Sequence, residues 1–496
     1  MNAQPSAREV AQFRDLIATR LGLHFDESKL VNLAKLLALH AKGDCGAFLT
    51  YLADATLAQL AALAPELTVT ETFFFRYVDQ INAFAEVALP ACVQAHDGAR
   101  AVRILSAGCA SGEEPFSLAI ASRERAGVTE SQVELTALDI NPVMLAKAAR
   151  AHYTHWSLRD FPPELKQRWF RSEGDSFVLS DSIRRMVRFE NRNLADSDPA
   201  FWQLESFDII FCRNVLMYFT PQQMQAAVER IAGALAPGGY LFLGHAETLR
   251  GLSNDFHLCH THGTFYYRRK PHLSAPPSYT PPAAVAPHWR PGEVLGDTGW
   301  IAAIADASQR IDVLAARAPP AASSAPAASA PDLQRARAYL HSERYDRTLE
   351  QIGALAFEHA GDPDVLLLKA VSLSQSGALA AAEAACHQLL ALDELSAGAH
   401  YVLALCREEG GDTAGAFSHY QSASYLDPEF AMPRLQAGLL ARRQGRPDAA
   451  RHDLAQALLL LKREDAARLL LFGGGFKREA LMALCRAELT ALGDYP

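Results

Sequence analysis

Apolar residues at the start of the chain recur at helical spacing. Val10, Phe13, Ile17 and Leu21 share one face, and Leu30, Leu33, Leu36 and Leu37 share another, so residues 8–63 are predicted to form a small helical piece. The pattern then changes to short continuous apolar runs separated by helical stretches. Residues 102–105, 133–139, 207–212 and 240–243 read as strands, the last following Pro237-Gly238-Gly239. Strands apolar on both faces that alternate with helices predict a parallel sheet covered on each side.

Beyond residue 270 the periodicity stops. Residues 271–331 hold eleven of the 26 prolines together with alanine and serine runs, the composition of an extended linker. Residues 301–315 inside it carry a weak helical pattern, read as a transient helix. Past the linker the chain repeats itself. Gly377, Gly411 and Gly445 are 34 residues apart, as are Ala382, Ala416 and Ala450, and Ala370, Ala404 and Gly438. Small residues in phase let two antiparallel helices approach closely, so the unit is a helix-turn-helix, with Tyr345 and Thr348 marking an earlier degenerate copy. A plain helical bundle would not hold three small positions in register.

With 49% hydrophobic residues in 496, several cores can be built. A net charge of −9 argues against nucleic acid as a partner, because phosphate binding shows as a basic excess. Residues 1–6 lack a signal layout, and no stretch approaches the ~20 apolar residues of a membrane span. The chain is therefore expected in the cytoplasm, without membrane insertion. Eight cysteines without a C-x-x-C pair read as buried thiols. His257, Cys259, His260 and His262 have the residue types of a zinc site, but on an extended segment they split between two faces, so no metal is expected. Arg184, Arg185, Arg188 and Arg192 are interleaved with Asp181 and Glu190, which favours a solvated face.

The most informative stretch joins the first strand to a helix: Ser106-Ala107-Gly108-Cys109-Ala110-Ser111-Gly112-Glu113-Glu114-Pro115. Gly108 and Gly112 permit backbone conformations closed to other residues, and Pro115 suits a first helical turn. By itself this pattern also fits any tight strand-to-helix turn. Asp139 closes the second strand, where a carboxylate can accept from ribose hydroxyls or serve as a helix cap before Asn141-Pro142.

Taken with Thr72-Phe73-Phe74-Phe75-Arg76 and Phe211-Cys212-Arg213-Asn214-Val215-Leu216-Met217-Tyr218-Phe219, that stretch resembles the chemotaxis-receptor glutamate O-methyltransferases of the CheR type. The likeness spans about residues 5–270, and the 34-residue unit resembles the tetratricopeptide repeat, as in the Wsp-type chemosensory methyltransferases. The resemblance implies a multidomain chain. Residues 1–65 would be an all-α receptor-recognition domain, and 66–270 an α/β Rossmann-like methyltransferase domain with a small β subdomain. Residues 271–331 would be the linker and 332–496 an all-α tetratricopeptide-repeat domain.

It also implies S-adenosylmethionine as cofactor, with S-adenosylhomocysteine as product, and a methyl-accepting chemoreceptor as protein substrate. The repeats would hold an unknown protein or peptide, and the cytoplasmic enzyme would be recruited to membrane receptor arrays. Arg76 and Tyr218 are the implied catalytic pair. Thr70, Thr72, Arg76, Ala107, Glu113, Asp139, Asn193, Leu194, Cys212, Arg213 and Asn214 are the implied cofactor contacts.

Carboxylate methylation needs no strong base, since glutamate is ionised at neutral pH with a pKa of about 4.3. It needs alignment and exclusion of water, which predicts an aromatic-walled pocket built from Phe73, Phe74, Phe75 and Arg76 with Tyr218 and Phe219. Plainer readings stand beside these. The phenylalanines can be core, Arg213 a structural ion pair, and Glu113 and Glu114 a complement to a helix N-terminus. Two features depart from the family pattern: residues 28–40 carry two lysines where an arginine-rich receptor-reading helix is expected, and the loop at residues 171–176 is too short to grip a receptor tail peptide. A non-catalytic cofactor-binding scaffold acting through its repeats, and a methyltransferase for a small molecule or nucleic acid, are the competing functions.

Overall fold

The computed structural model describes residues 5–124, 128–271, 333–342, 344–355, 359 and 361–493. The expected linker lies outside these residues except for Pro271, as does the helical pattern at 301–315 within it.

Helix Ala7–Leu21 opens on a Ser6–Glu9 capping box and closes at Gly22, whose φ of 77° only glycine adopts freely. It buries Val10, Phe13, Ile17 and Leu21 against helices Leu30–Ala41 and Cys45–Asp54, as the spacing requires. Phe13 is fully enclosed, so its loss would cost about 3–5 kcal/mol. Leu33, Leu36 and Leu37 face inward from the second helix while Val31 and Leu39 stand exposed.

The chain next builds ten strands: β1 (Val102–Ala107), β2 (Val133–Asp139), β3 (His152–Thr154), β4 (Phe170–Glu173), β5 (Ser176–Leu179), β6 (Val187–Asn191), β7 (Phe207–Cys212), β8 (Leu235–Leu243), β9 (Phe256–Thr261) and β10 (Thr264–Arg269). Seven form one sheet in the order β6-β2-β1-β7-β8-β10-β9, parallel through β8 and antiparallel at β10 and β9. The strand order reverses at β1, which puts the ligand crevice at the carboxyl ends of β1 and its neighbours. The strand expected at 240–243 begins earlier, at Leu235. An irregularity between Phe207 and Ile209 lets the Pro237-Gly238-Gly239 segment run along the sheet instead of ahead of it.

Strands β3, β5 and β4 make a separate three-stranded sheet, and Gly174 (φ 57°) turns its tight hairpin. Its aromatic side chains meet Phe74, which packs edge-on against Tyr153, Phe161 and Phe170 with ring centroids 4.8, 5.6 and 5.2 Å away.

The repeats appear as paired antiparallel helices. Pro363–Gln375, Ala397–Glu409 and Ala431–Arg443 pair with Leu379–Leu392, Thr413–Leu426 and Pro447–Leu461, and Gln334–His341 with Tyr345–Gly353 precede them. Ala370, Ala404, Ala382, Ala416 and Ala450 are fully buried, and so is Thr348 in the degenerate unit. Two features exceed the repeat pattern. Helix Ala466–Phe472 returns along the first helices of the pairs, where the Tyr401 hydroxyl donates to the Phe472 carbonyl at 3.3 Å. The array also docks on the outer edge of the large sheet: Glu394 accepts from the Leu258 amide and pairs with His257 and Lys270. No helix among the described residues is long and apolar enough to cross a membrane.

Candidate active site

A cleft opens at the carboxyl ends of β1, β2, β6 and β7. Gly108 and Ala110 line it from the turn after β1, Asp139 and Ile140 from the end of β2 and the residue beyond it, Arg192, Asn193 and Leu194 from the segment after β6, and Asn214, Val215 and Tyr218 from the segment after β7. Gly108 has φ of 76°, and a Cβ there would run into the Val215 side chain, so glycine is required. Its amide and that of Cys109 both donate to the Leu138 carbonyl, fastening the turn to β2.

Asp139 sits at the cleft floor. Its two oxygens accept the Ala110 and Asn141 amides, each at 2.8 Å. Each carboxylate oxygen keeps a second lone pair, so the group can still accept from a ligand hydroxyl. Burial pushes its pKa above the ordinary carboxylate value while the amides pull it back. The helix cap at this point is Asn141, whose side chain accepts from Val143 and Met144, which removes the cap reading of Asp139.

Thr70, Asp139, Asn193, Leu194, Asn214 and Tyr218 thus share one cleft, whereas Thr72, Arg76, Ala107, Glu113, Cys212 and Arg213 do not line it. Ala107 and Cys212 are the last residues of β1 and β7, enclosed in the sheet. Glu113 lies below the glycine turn, accepting the hydroxyls of Ser111 at 2.7 Å and Ser157 at 3.0 Å. Arg213 is buried and ion-paired with Glu114 at 2.6 Å, and its Nη1 donates to the Arg76 carbonyl and to Gln80.

Arg76 stands beside Tyr218. Burial raises the phenol pKa and the nearby Arg76 charge opposes that rise. Arg76 donates to the Glu71 carbonyl at 2.9 Å, and its guanidinium lies 5.8 Å from the centre of the Phe73 ring. The aromatic wall differs from expectation. Phe74 and Phe75 point into the core, because Tyr153 and Phe170 of the small sheet pack on Phe74 and Phe161, between those strands, packs on both, while Phe219 alone of that set joins Tyr218 at the cleft. Among the described residues, four of the nine non-glycine residues with positive φ lie in these segments, namely Phe75, Tyr77, Ala110 and Asn214, a local cost carried where geometry matters.

Sequence reasoning overlooked Leu23. The Asn193 side chain donates to the Leu21 carbonyl and the His24 amide to the Tyr218 carbonyl, which bring the end of the first helix over the cleft. No periodicity within residues 8–63 announces that contact. His257, Cys259 and His260 lie on β9 and His262 in the turn that follows it: His257 bonds to Glu394, His262 to Glu86, and the His260 ring stacks on Phe265. Among the described residues no group of three or more His, Cys, Asp or Glu side chains could hold a metal.

Residues 70–265 match the model of the CheR methyltransferase SAM-binding domain. Chemotaxis protein methyltransferase 2 of Vibrio cholerae is 35% identical over 272 residues, 53% of this chain and 93% of that protein. The chain belongs to the CheR methyltransferase family. Two relatives extend past the matched domain: the probable biofilm formation methyltransferases WspC of Pseudomonas putida, 30% identical over 81% of this chain and 84% of that protein, and of Pseudomonas aeruginosa, 28% identical over 77% and 82%. A solved thermophilic TPR protein from Thermus thermophilus is 25% identical, with TM-score 0.25, over 32% of this chain and 89% of that one.

As a CheR-family methyltransferase the chain uses S-adenosylmethionine. The cleft fits such a cofactor. Asp139 offers a carboxylate at the end of β2, and Leu23, Leu138, Ile140, Leu194 and Phe219 supply apolar surface beside it of the kind a purine packs against.

Proposed function

We propose that this chain methylates glutamate side chains of a methyl-accepting chemoreceptor, forming glutamate methyl esters. The observation that carries this reading is the placement of Tyr218 at the cleft that contains Asp139, with the Arg76 charge near enough to act on its phenol. The cofactor, when bound, supplies an electrophilic methyl on a sulfonium. Arg76 then holds the incoming carboxylate and Tyr218 orients it for in-line approach, while Phe219 and Leu23 keep water away. Removing water matters because the carboxylate charge disappears as the bond forms. Asp139 takes the ribose hydroxyls, Thr70, Asn193, Leu194 and Asn214 contact the cofactor from the cleft wall, and Thr72 reaches it from the neighbouring segment. Ala107, Glu113, Cys212 and Arg213 act from beneath, shaping the turns that do so.

The organisation that goes with this function is a receptor-recognition piece at 1–65, a catalytic unit at 66–270, a linker at 271–331 and a partner-binding array at 332–496. Likeness over most of the chain to relatives named for biofilm formation supports a chemosensory pathway that governs surface behaviour, on the cytoplasmic side of a receptor array.

Incubation with labelled donor and membranes from a receptor-expressing strain tests the reading. Base-labile label on a receptor is the expected result. Cofactor binding without transfer, or label in RNA or a small solute, would overturn it.

A further inference from the structure

The buried carboxylate of Glu247, in the turn after β8, does not line the cleft, yet it bonds to the segment that does. Its Oε2 accepts the amides of Asn214 at 2.7 Å and Gly244 at 2.8 Å, and its Oε1 accepts those of Val215 at 2.9 Å and Met217 at 3.2 Å. Three of these amides belong to the irregular turn that begins at Asn214, φ 58°, and delivers Tyr218. Within the turn the only regular element among the described residues is the single 3-10 turn Leu216–Tyr218, and its far end is tied to the His24 amide through the Tyr218 carbonyl. The approach is also tight, because a Cβ on Gly244 would lie 2.8 Å from Oε2 and 2.9 Å from the Asn214 nitrogen.

Glu247 is gripped in turn from the repeat array. The Tyr425 hydroxyl, on helix Thr413–Leu426, donates to the Glu247 carbonyl at 3.1 Å, and its ring stacks on Phe265 of β10 with centroids 4.5 Å apart. Arg250, three residues after Glu247, pairs with Asp427 at 2.5 Å.

We propose that Glu247 is a positioning residue for methyl transfer: its carboxylate fixes the Asn214–Tyr218 turn, and Tyr425 braces it from the repeat array, which is thereby a working part of the catalytic unit. The inference rests on the role given above to Tyr218. Charge-assisted bonds are roughly twice as strong as neutral ones, so one carboxylate accepting four amides can impose a geometry the turn would not hold alone. Glu247→Gln keeps the size, removes the charge and turns an NH2 group toward those amides. Tyr425→Phe deletes one hydroxyl and keeps the ring stack.

Both full-length variants are compared with wild type by amide exchange over residues 213–219, by calorimetric binding of S-adenosylhomocysteine, and by steady-state transfer to receptor. For Glu247→Gln we expect exchange faster by at least about tenfold and kcat lower by about a hundredfold, the scale of losing one preorganised element of a site. For Tyr425→Phe we expect roughly threefold to tenfold in both, as for one neutral hydrogen bond. In each case KM for receptor and product affinity change far less than kcat. Wild-type exchange and kcat in a folded Glu247→Gln protein overturn the positioning role. Wild-type values in Tyr425→Phe overturn the bracing, and that variant carries the test alone if Glu247→Gln does not fold. If wild type transfers nothing to receptor, the proposed function has failed, and the exchange comparison still judges this inference.

Discussion

The Arg213 guanidinium donates to the Arg76 carbonyl oxygen at 2.8 Å while its Nε is held by Glu114 at 2.6 Å. A buried arginine at the end of β7 therefore fixes the main chain of the residue proposed to hold substrate. Lysine cannot replace it, because a single ammonium on a flexible stem cannot serve Glu114, Gln80 and that carbonyl together. Arg213→Lys is expected to lower stability by about 2 kcal/mol and transfer by ten- to a hundredfold. Calorimetric melting and initial rates on the same preparation check both.

Arg76 and Asp139 should separate binding from chemistry. Arg76→Ala is expected to abolish transfer while leaving cofactor affinity within a few fold of wild type. Asp139→Ala, which also frees the Ala110 and Asn141 amides, should weaken cofactor binding by a hundredfold or more, about 3 kcal/mol. Calorimetric titration with the cofactor distinguishes them, and equal losses would end the division of roles.

Asp208, at 2% exposure, lies between Arg100 at 2.7 Å and Arg103 at 3.2 Å. Burial acts to raise its pKa, but the two guanidiniums and the Arg103 amide outweigh it and hold the carboxyl well below the usual range. A folded-state pKa below the unfolded value of about 3.9 stabilises fully above roughly pH 5, and that contribution is lost as pH falls through the folded value. Asp208→Asn should cost about 3 kcal/mol at pH 7 and flatten the fall in melting temperature between pH 5 and 3. An unchanged slope would remove the ion pairs from the stability argument.

Gly438 lets two helices of the repeats approach closely: a Cβ would lie 2.8 Å from Leu454 Cγ and 3.1 Å from its amide nitrogen. Gly438→Val should overpack that pair and destabilise the array by about 1–3 kcal/mol. Helical signal lost at lower temperature than in wild type would show it.

Much of this molecule is legible because its signals are local. A strand buried on both faces is written as a continuous apolar run, as at Phe207–Cys212, and a helix pair as small residues 34 positions apart. The glycine turn after β1 and the acid at the end of β2 lie within one strand–helix–strand unit, so Gly108 and Asp139 are legible in the sequence alone. The inward turn of Phe74 and Phe75 could not, because it depends on rings contributed by Tyr153, Phe161 and Phe170, more than seventy residues further on.

The sequence by itself determined the parallel sheet, the repeat period and the chemical type of the cleft, since each follows from spacing that the backbone geometry of strands and helices converts directly into a face or a turn. Only the tertiary structure decided that Leu23 lines the cleft, that Arg213 donates to the Arg76 carbonyl, and that Tyr425 of the repeat array bonds to Glu247, whose carboxylate accepts the Asn214, Val215 and Met217 amides. These contacts join residues as many as 178 positions apart, and hydrogen bonds between such distant groups obey no period that a one-dimensional pattern can carry.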